Sequence, residues 1–268
     1  MDVAYPTDVA EAVAALADGM TPLGGGTDLM VEVNFGHSRP EQVVALRRLT
    51  ELSEWEGNRI GAAVTWRRIE RDGPTALAQA ARTVGSPQIR NAGTIGGNVG
   101  TASPAGDGLP FLAAVDARIE LTSPEGTRVV PWNEFFTGVK QTSRRGDELI
   151  AAILLPEELP ERHEFGKIGV RNAMVIATVC CVVTRGSDGT TTVGLGSVAP
   201  TPMRARRAEE MISAEVDPSD SALDEFARLV SSEVTPITDH RSTEAYRRHA
   251  AGVLARRLLE RTIRRGVA

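Results

Sequence analysis

The chain is poor in cysteine: it has two in 268 residues, the neighbours Cys180 and Cys181. Two adjacent thiols cannot build a disulfide framework, a four-ligand zinc site or an iron–sulfur cluster. They lie in the apolar run 175–184, which reads as a buried strand with its two thiols on opposite faces. Aromatic residues are scarce at 4%, which argues against base-stacking platforms for single-stranded nucleic acid. Positive charge is not in excess. Lys and Arg number 30 against 35 Asp and Glu, a net charge of −5, which argues against a nucleic-acid or anionic-membrane footprint. No apolar run approaches the roughly 18 residues of a membrane-spanning helix, so no membrane insertion is expected. The opening Met-Asp-Val-Ala-Tyr-Pro lacks the basic and apolar regions of a secretory leader, and a cytoplasmic location is the expectation. The histidines His37, His163, His240 and His249 are scattered. Neither a His-Glu-x-x-His spacing nor a Gly-x-Ser-x-Gly elbow occurs.

What is present describes a globular protein of one large domain or two small ones, with 41% hydrophobic and 24% charged residues. The first fifty residues alternate helix and strand: a helix opening at Pro6 and Thr7, a strand over 20–23, a helical stretch from Leu29, and a strand over 42–46. Further strands are expected over 58–64, 117–122, 127–130 and 149–155, with helices over 65–71 and 74–84. The polar, proline-bounded segment 156–162 reads as a domain boundary. Beyond it, 175–184 and 191–198 flank Gly186-Ser-Asp-Gly189, a hairpin signal. Helices are expected over 204–213, 220–230 and 243–264. The arginine-rich side of the last reads as a solvated face or a subunit contact.

Glycine is the excess: 26 residues, where average use would give roughly 19. Gly194-Leu-Gly-Ser-Val-Ala199 formally fits the dinucleotide fingerprint, but Pro200 and Pro202 follow at once and leave no helix N-terminus to hold a pyrophosphate. The other runs, Gly24-Gly-Gly26 and the region from Gly93 to Gly100, carry more weight. Consecutive glycines let backbone amides approach a phosphate closely. Thr27, Thr94, Asn98, Thr101 and Ser103 add small polar groups, and Asp107 is an acid suited to sugar hydroxyls. Two glycine-rich turns would also account for these runs. Two runs ringed by small polar groups point instead to a phosphate-bearing cofactor, which the spacing does not name.

The segments Pro22-Leu-Gly-Gly-Gly-Thr-Asp-Leu-Met30 and Ile89-Arg-Asn-Ala-Gly-Thr-Ile-Gly-Gly-Asn-Val-Gly-Thr-Ala-Ser-Pro-Ala-Gly-Asp107 resemble the two FAD-binding loops of the medium, flavin-carrying subunit of molybdenum hydroxylases. That family includes the carbon monoxide dehydrogenase medium chain and the xanthine dehydrogenase flavin domain. The likeness continues in Phe165-Gly-Lys167-Ile-Gly-Val-Arg171 and Asp239-His-Arg-Ser-Thr-Glu-Ala-Tyr-Arg-Arg248, and so covers nearly the whole chain.

The resemblance implies an α+β fold. A p-cresol methylhydroxylase/vanillyl-alcohol oxidase-type FAD-binding domain would span 1–158, with an α/β subdomain over about 1–55 and a mixed-sheet subdomain over 56–158. A carbon monoxide dehydrogenase flavoprotein C-terminal-like domain, with an antiparallel sheet and helices, would follow over 163–268. It implies that Leu23, Gly24, Gly25, Gly26, Thr27, Asp28 and Leu29 wrap the FAD pyrophosphate with backbone amides. Gly93, Thr94, Gly96, Gly97 and Asn98 would hold its other side, and Thr101 is counted with the cofactor-binding residues. Ser103 and Asp107 would reach the pyrophosphate, ribityl or ribose oxygens, Ile150 would lie near the flavin or adenine, and Lys167 would contact the flavin end.

It further implies partners: a large molybdenum-cofactor subunit and a small subunit with two 2Fe-2S clusters, in a dimer of heterotrimers. Electrons would pass from the clusters to FAD, then to NAD+, oxygen or a quinone-type acceptor. No residue of this chain need act as acid, base or nucleophile, because the cofactor carries the chemistry. The chain departs from relatives at Met174-Val175, where many carry an acid, and at Val84, where others carry an aromatic that stacks on FAD. A stand-alone flavin oxidoreductase acting directly on a small molecule, and a non-catalytic protein of the same fold, remain the alternatives.

Overall fold

The protein is described here by a computed structural model covering residues 1–265. The chain begins with β1 (Asp2–Ala4), α1 (Val9–Ala17), β2 (Thr21–Leu23), α2 (Leu29–Asn34) and β3 (Gln42–Ala45). β1, β3 and β2 form a small parallel sheet in that order. α1 starts at Val9 and not at Pro6, because Asp8 is its N-cap and its carboxylate accepts the Glu11 amide. Its apolar face, Ala12, Val13 and Leu16, packs with Val44, Leu46, Leu49 and Leu52.

Next come β4 (Trp55–Glu56), β5 (Arg59–Gly61), α3 (Trp66–Asp72), α4 (Thr75–Thr83), α5 (Pro87–Ala92), α6 (Ile95–Thr101) and α7 (Leu109–Ala114). They are followed by β6 (Arg118–Ser123), β7 (Gly126–Pro131), α8 (Trp132–Phe135), β8 (Phe136–Gly138), β9 (Gln141–Thr142) and β10 (Leu149–Leu154). The second sheet is antiparallel, in the order β4-β5-β10-β6-β7. Its central strand β10 is apolar throughout because both faces are covered. Leu149 and Ala151 join the core of the first sheet, while Ile150 and Ile153 join the core beneath α3–α7. A register shift between Ile150 and Ala152 lets this strand serve both.

After the connecting residues 155–161 come β11 (Arg162–Ile168), β12 (Val179–Arg185), β13 (Thr191–Gly196), β14 (Met203–Arg204), α9 (Arg206–Ser213), α10 (Asp220–Glu233) and α11 (Glu244–Arg265). The third sheet is antiparallel, β11-β12-β13-β14, and α9–α11 cover one of its faces. The other face meets the earlier part of the chain. Cys180 and Val182 of β12 belong to the core under α7, whereas Val179, Cys181 and Val183 belong to the core under α9–α11. The two thiols therefore do point to opposite faces.

The Gly194-Leu-Gly196 segment has a packing role. A Cβ at Gly194 would stand 1.9 Å from the Pro110 carbonyl oxygen, and one at Gly196 would stand 2.7 Å from Cys180 Sγ. Only bare backbone lets β13 lie flush on α7. The arginine face of α11 is also not wholly solvated. Arg247 is buried and donates to the Thr178 and Ser197 carbonyls and to the Asp239 carboxylate. Among the described residues no helix is long and apolar enough to cross a membrane.

Candidate functional site

The two glycine segments meet. A Cβ at Gly25 would lie 1.9 Å from the Ala92 carbonyl oxygen, and one at Gly93 would lie 3.1 Å from Thr27 Oγ1. The Thr101 hydroxyl donates to the Asp28 carboxylate at 3.1 Å. Residues about seventy apart in sequence thus pack directly against each other.

The two sides offer different chemistry. On the first, Leu23 ends β2, Gly24 through Asp28 form an open turn in which Gly26 has φ +71°, and Leu29 starts α2. Among the described residues the amides of Gly25, Gly26, Thr27 and Asp28 donate to no protein group. The second side is not the loop that the sequence suggests. It holds α5 and α6, and the amides expected to face a ligand are already engaged. Ile95 donates to Val64 O, Gly96 to Ala62 O, Gly97 to the Thr94 hydroxyl that caps α6, and Asn98 to Thr94 O. Gly96 faces inward, where a Cβ would stand 2.5 Å from that of Ala62. Gly97 is exposed, and its nearest obstacle would be Thr94 Oγ1 at 3.1 Å. Ile150 lies beneath α6, its Cδ1 3.3 Å from where a Gly100 Cβ would stand.

What the second side offers is side chains. Asn98 Oδ1 and Asp107 Oδ1 are buried acceptors without a donor among the described residues. Such orphans are costly and call for a donor from elsewhere. Asn98 packs against the turn that carries Asp107, close to both Gly106 and Gly108. Ser103 half-buries beside it and accepts the Ala105 amide. Trp66 lies under both parts, touching the Cβ positions of Gly93 and Gly108.

Asp107 and Lys167, to which the resemblance gives separate contacts with the cofactor, are paired with each other. Lys167 on β11 donates to Asp107 Oδ2 at 2.6 Å, both side chains being under 10% exposed. Thr83 Oγ1 also donates to Oδ2, and its carbonyl accepts from Lys167. Burial pushes the Asp107 carboxyl up from the ordinary carboxylate range, against the pull of the Lys167 ammonium and the Thr83 hydroxyl. Beyond Lys167 opens a cleft of about 350 Å3 lined by Arg82, Thr83, Arg90, Arg171 and Met174 among others. Val84 packs at the edge of the core, and Met174 is exposed. Thr83, Trp66 and the Asp107–Lys167 pairing were missed in the sequence, which gives no short-range signal for any of them.

The comparisons with known proteins agree with this architecture. Residues 1–158 match the family described as FAD binding domain in molybdopterin dehydrogenase, and 165–262 match the CO dehydrogenase flavoprotein C-terminal domain. The chain is 30% identical to the xanthine dehydrogenase FAD-binding subunit of Escherichia coli O157:H7, over 95% of this chain and 93% of that protein. It is 31% identical to the carbon monoxide dehydrogenase medium chain of Afipia carboxidovorans, over 97% and 96%. Its structure superposes on a chain of carbon monoxide dehydrogenase from Hydrogenophaga pseudoflava with a TM-score of 0.91 at 29% identity, covering 98% of this chain and 96% of that one. A chain of reconstituted CO dehydrogenase from Oligotropha carboxidovorans gives 0.91 at 30% identity, covering 99% and 98%. The α+β fold and the FAD cofactor inferred from the sequence thus stand, and the chain belongs to the family of FAD-binding subunits of molybdopterin dehydrogenases, the flavin oxidoreductases of the xanthine and carbon monoxide dehydrogenase type.

Proposed function

We propose that this chain takes electrons from 2Fe-2S clusters of a small partner subunit and passes them through FAD to NAD+, oxygen or a quinone-type acceptor, while a large partner holds the molybdenum cofactor and oxidises the substrate. Residues 1–158 would form the FAD-binding domain and the chain from 163 onward a lobe that shields the flavin, in a dimer of heterotrimers. The observation that carries this reading is the meeting of the two glycine segments, with unengaged amides on the first and orphaned buried acceptors on the second.

The site fits FAD on both counts. The amides of Gly25, Gly26, Thr27 and Asp28 suit a pyrophosphate, because clustered N–H groups form an anion-holding nest. Asn98 Oδ1 and Asp107 Oδ1 need donors, and ribityl or ribose hydroxyls are donors. FAD supplies the redox chemistry when bound. The protein's part is to bind, orient and keep water out. Lys167 donates to one oxygen of Asp107 and so aims the carboxyl, which leaves the second oxygen for a donor from the cofactor. Gly97 leaves the site open where any side chain would project into it. The chain's two cysteines are buried and too few to ligate a cluster, which is consistent with clusters held by a partner. Relatives named as an FAD-binding subunit and as a medium chain support the same assembly.

The test is reduction of the bound flavin. The purified yellow chain is expected to be photoreduced, but not reduced by candidate organic substrates until both partner chains are added. Direct reduction by a substrate without partners would establish the stand-alone reading. Gly97→Val is expected to yield a folded, colourless protein, and full flavin content in that variant would show the site to be misassigned.

A further inference from the structure

α2 is held in an unusual way. It follows the 24–28 turn directly, yet none of its residues is buried. Val31 is 47% exposed and the flanking Phe35 is 73% exposed. Leu29 and Val33 are only half-buried, so hydrophobic packing holds this helix, and with it the turn that offers the free amides, only weakly. Two polar ties add to it. Thr101, the last residue of α6, donates to Asp28 at the start of the helix. The Lys140 ammonium forms a short ion pair with Glu32 in the helix, whose other carboxylate oxygen lies 3.3 Å from His37 Nδ1.

Lys140 is held in a strained backbone conformation. It sits in the turn between β8 and β9 with φ +54°, a conformation in which glycine or asparagine would rest more easily. Its amide donates at 3.1 Å to the carbonyl of Ala102, the residue just beyond α6, itself at φ +47°. Two left-handed non-glycine residues are thus bonded to each other at the point where α6, the β8–β9 turn and α2 converge. Backbone strain of this kind persists where the side chain's position serves a purpose.

We propose that Lys140 is a positioning residue for the cofactor loop. Through Glu32 it clasps α2 against the end of α6 and holds the 24–28 turn closed on FAD. This rests on the reading that the turn faces the FAD pyrophosphate. Lys140 acts on the turn through Glu32 and through its charge near Asp28, and its effect is on how long the cofactor stays.

Lys140→Gly separates the clasp from the fold, because glycine relieves the strain at that turn while removing the ammonium. In the FAD-loaded full chain, the rate of FAD release is read from the rise of free flavin fluorescence after dilution into apoprotein-free buffer. Lys140→Gly is expected to leave the urea midpoint of the FAD-free protein unchanged or higher, and to speed release about threefold, the scale of a partly exposed ion pair. Glu32→Gln should do the same, the double variant should add nothing further, and Lys140→Arg should restore slow release. Unchanged release in both Lys140→Gly and Glu32→Gln would overturn the clasp. Gly97→Val distinguishes the two readings: loss of flavin there with normal release in Lys140→Gly sinks the clasp alone, whereas flavin retained in Gly97→Val sinks the cofactor site on which it rests.

Discussion

Replacing Lys167 by methionine keeps most of the side chain's volume and removes the one ammonium that faces Asp107. The carboxyl then has the Thr83 hydroxyl alone, at a site where it is almost wholly buried. Removing one partner of a buried pair typically costs about 3–5 kcal/mol. Here the magnitude also depends on pH. A carboxyl that must be neutral in the folded state, but ionises near pH 3.9 when unfolded, costs about 1.4 kcal/mol for each pH unit above that value. Because burial already raises this carboxyl in the wild type, the deficit of Lys167→Met should be at most about 4 kcal/mol at pH 7 and at most about 1.5 kcal/mol at pH 5. The direction follows from burial. In the variant the folded-state pKa of Asp107 lies above the unfolded one, so stability is retained in acid and lost as pH rises. Urea unfolding followed by tryptophan fluorescence at both pH values, at saturating FAD, measures it. Adding Asp107→Asn should remove the pH dependence. A deficit equal at pH 7 and pH 5 would refute the reasoning, because it would mean that no buried charge had been stranded.

Gly194→Ala drives a methyl group into the Pro110 carbonyl and should cost about 3 kcal/mol or more, a fall in melting temperature of at least about 6 °C by calorimetry. Asp239 is held well below the ordinary carboxylate range: desolvation opposes this, but the amides of Arg241 and Ser242 and the Arg247 guanidinium outweigh it. Its stabilisation is present above pH 4 and lost as the pH falls below the ordinary range. Wild type should thus exceed Asp239→Asn in stability at pH 6 and lose that margin in an acid titration toward pH 2. Burial pushes both cysteine thiols up, so a thiol reagent at neutral pH should label neither in the native protein and both after unfolding. A single fast native thiol would contradict the packing of β12.

Much of this fold is legible because its signals are local. The apolar alternation of β6, the unbroken apolar run of β10 and the glycine-marked hairpin between β12 and β13 need no knowledge of the rest of the chain. α6 is not legible in this way. Three glycines in seven residues oppose a helix. It forms because Thr94 caps it and because Val64 and Ala62 receive its first amides. β1 is nearly all exposed and carries no period to read. At the site, the glycine segments announced themselves by composition, but which amides are free could only come from the tertiary structure. Lys167 and Asp107 are 60 residues apart, and nothing in either neighbourhood signals the other. The dinucleotide-like Gly-Leu-Gly of β13 is the reverse case, a local pattern whose cause is the neighbouring helix and not a ligand.

β12 acts as a party wall. One row of its side chains is built into the core beneath α7 and the next row into the core beneath α10 and α11. The third sheet therefore cannot swing away from the earlier part of the chain like a lid on a hinge without opening the core beneath α7. The two halves should melt together as a single cooperative unit instead of in succession.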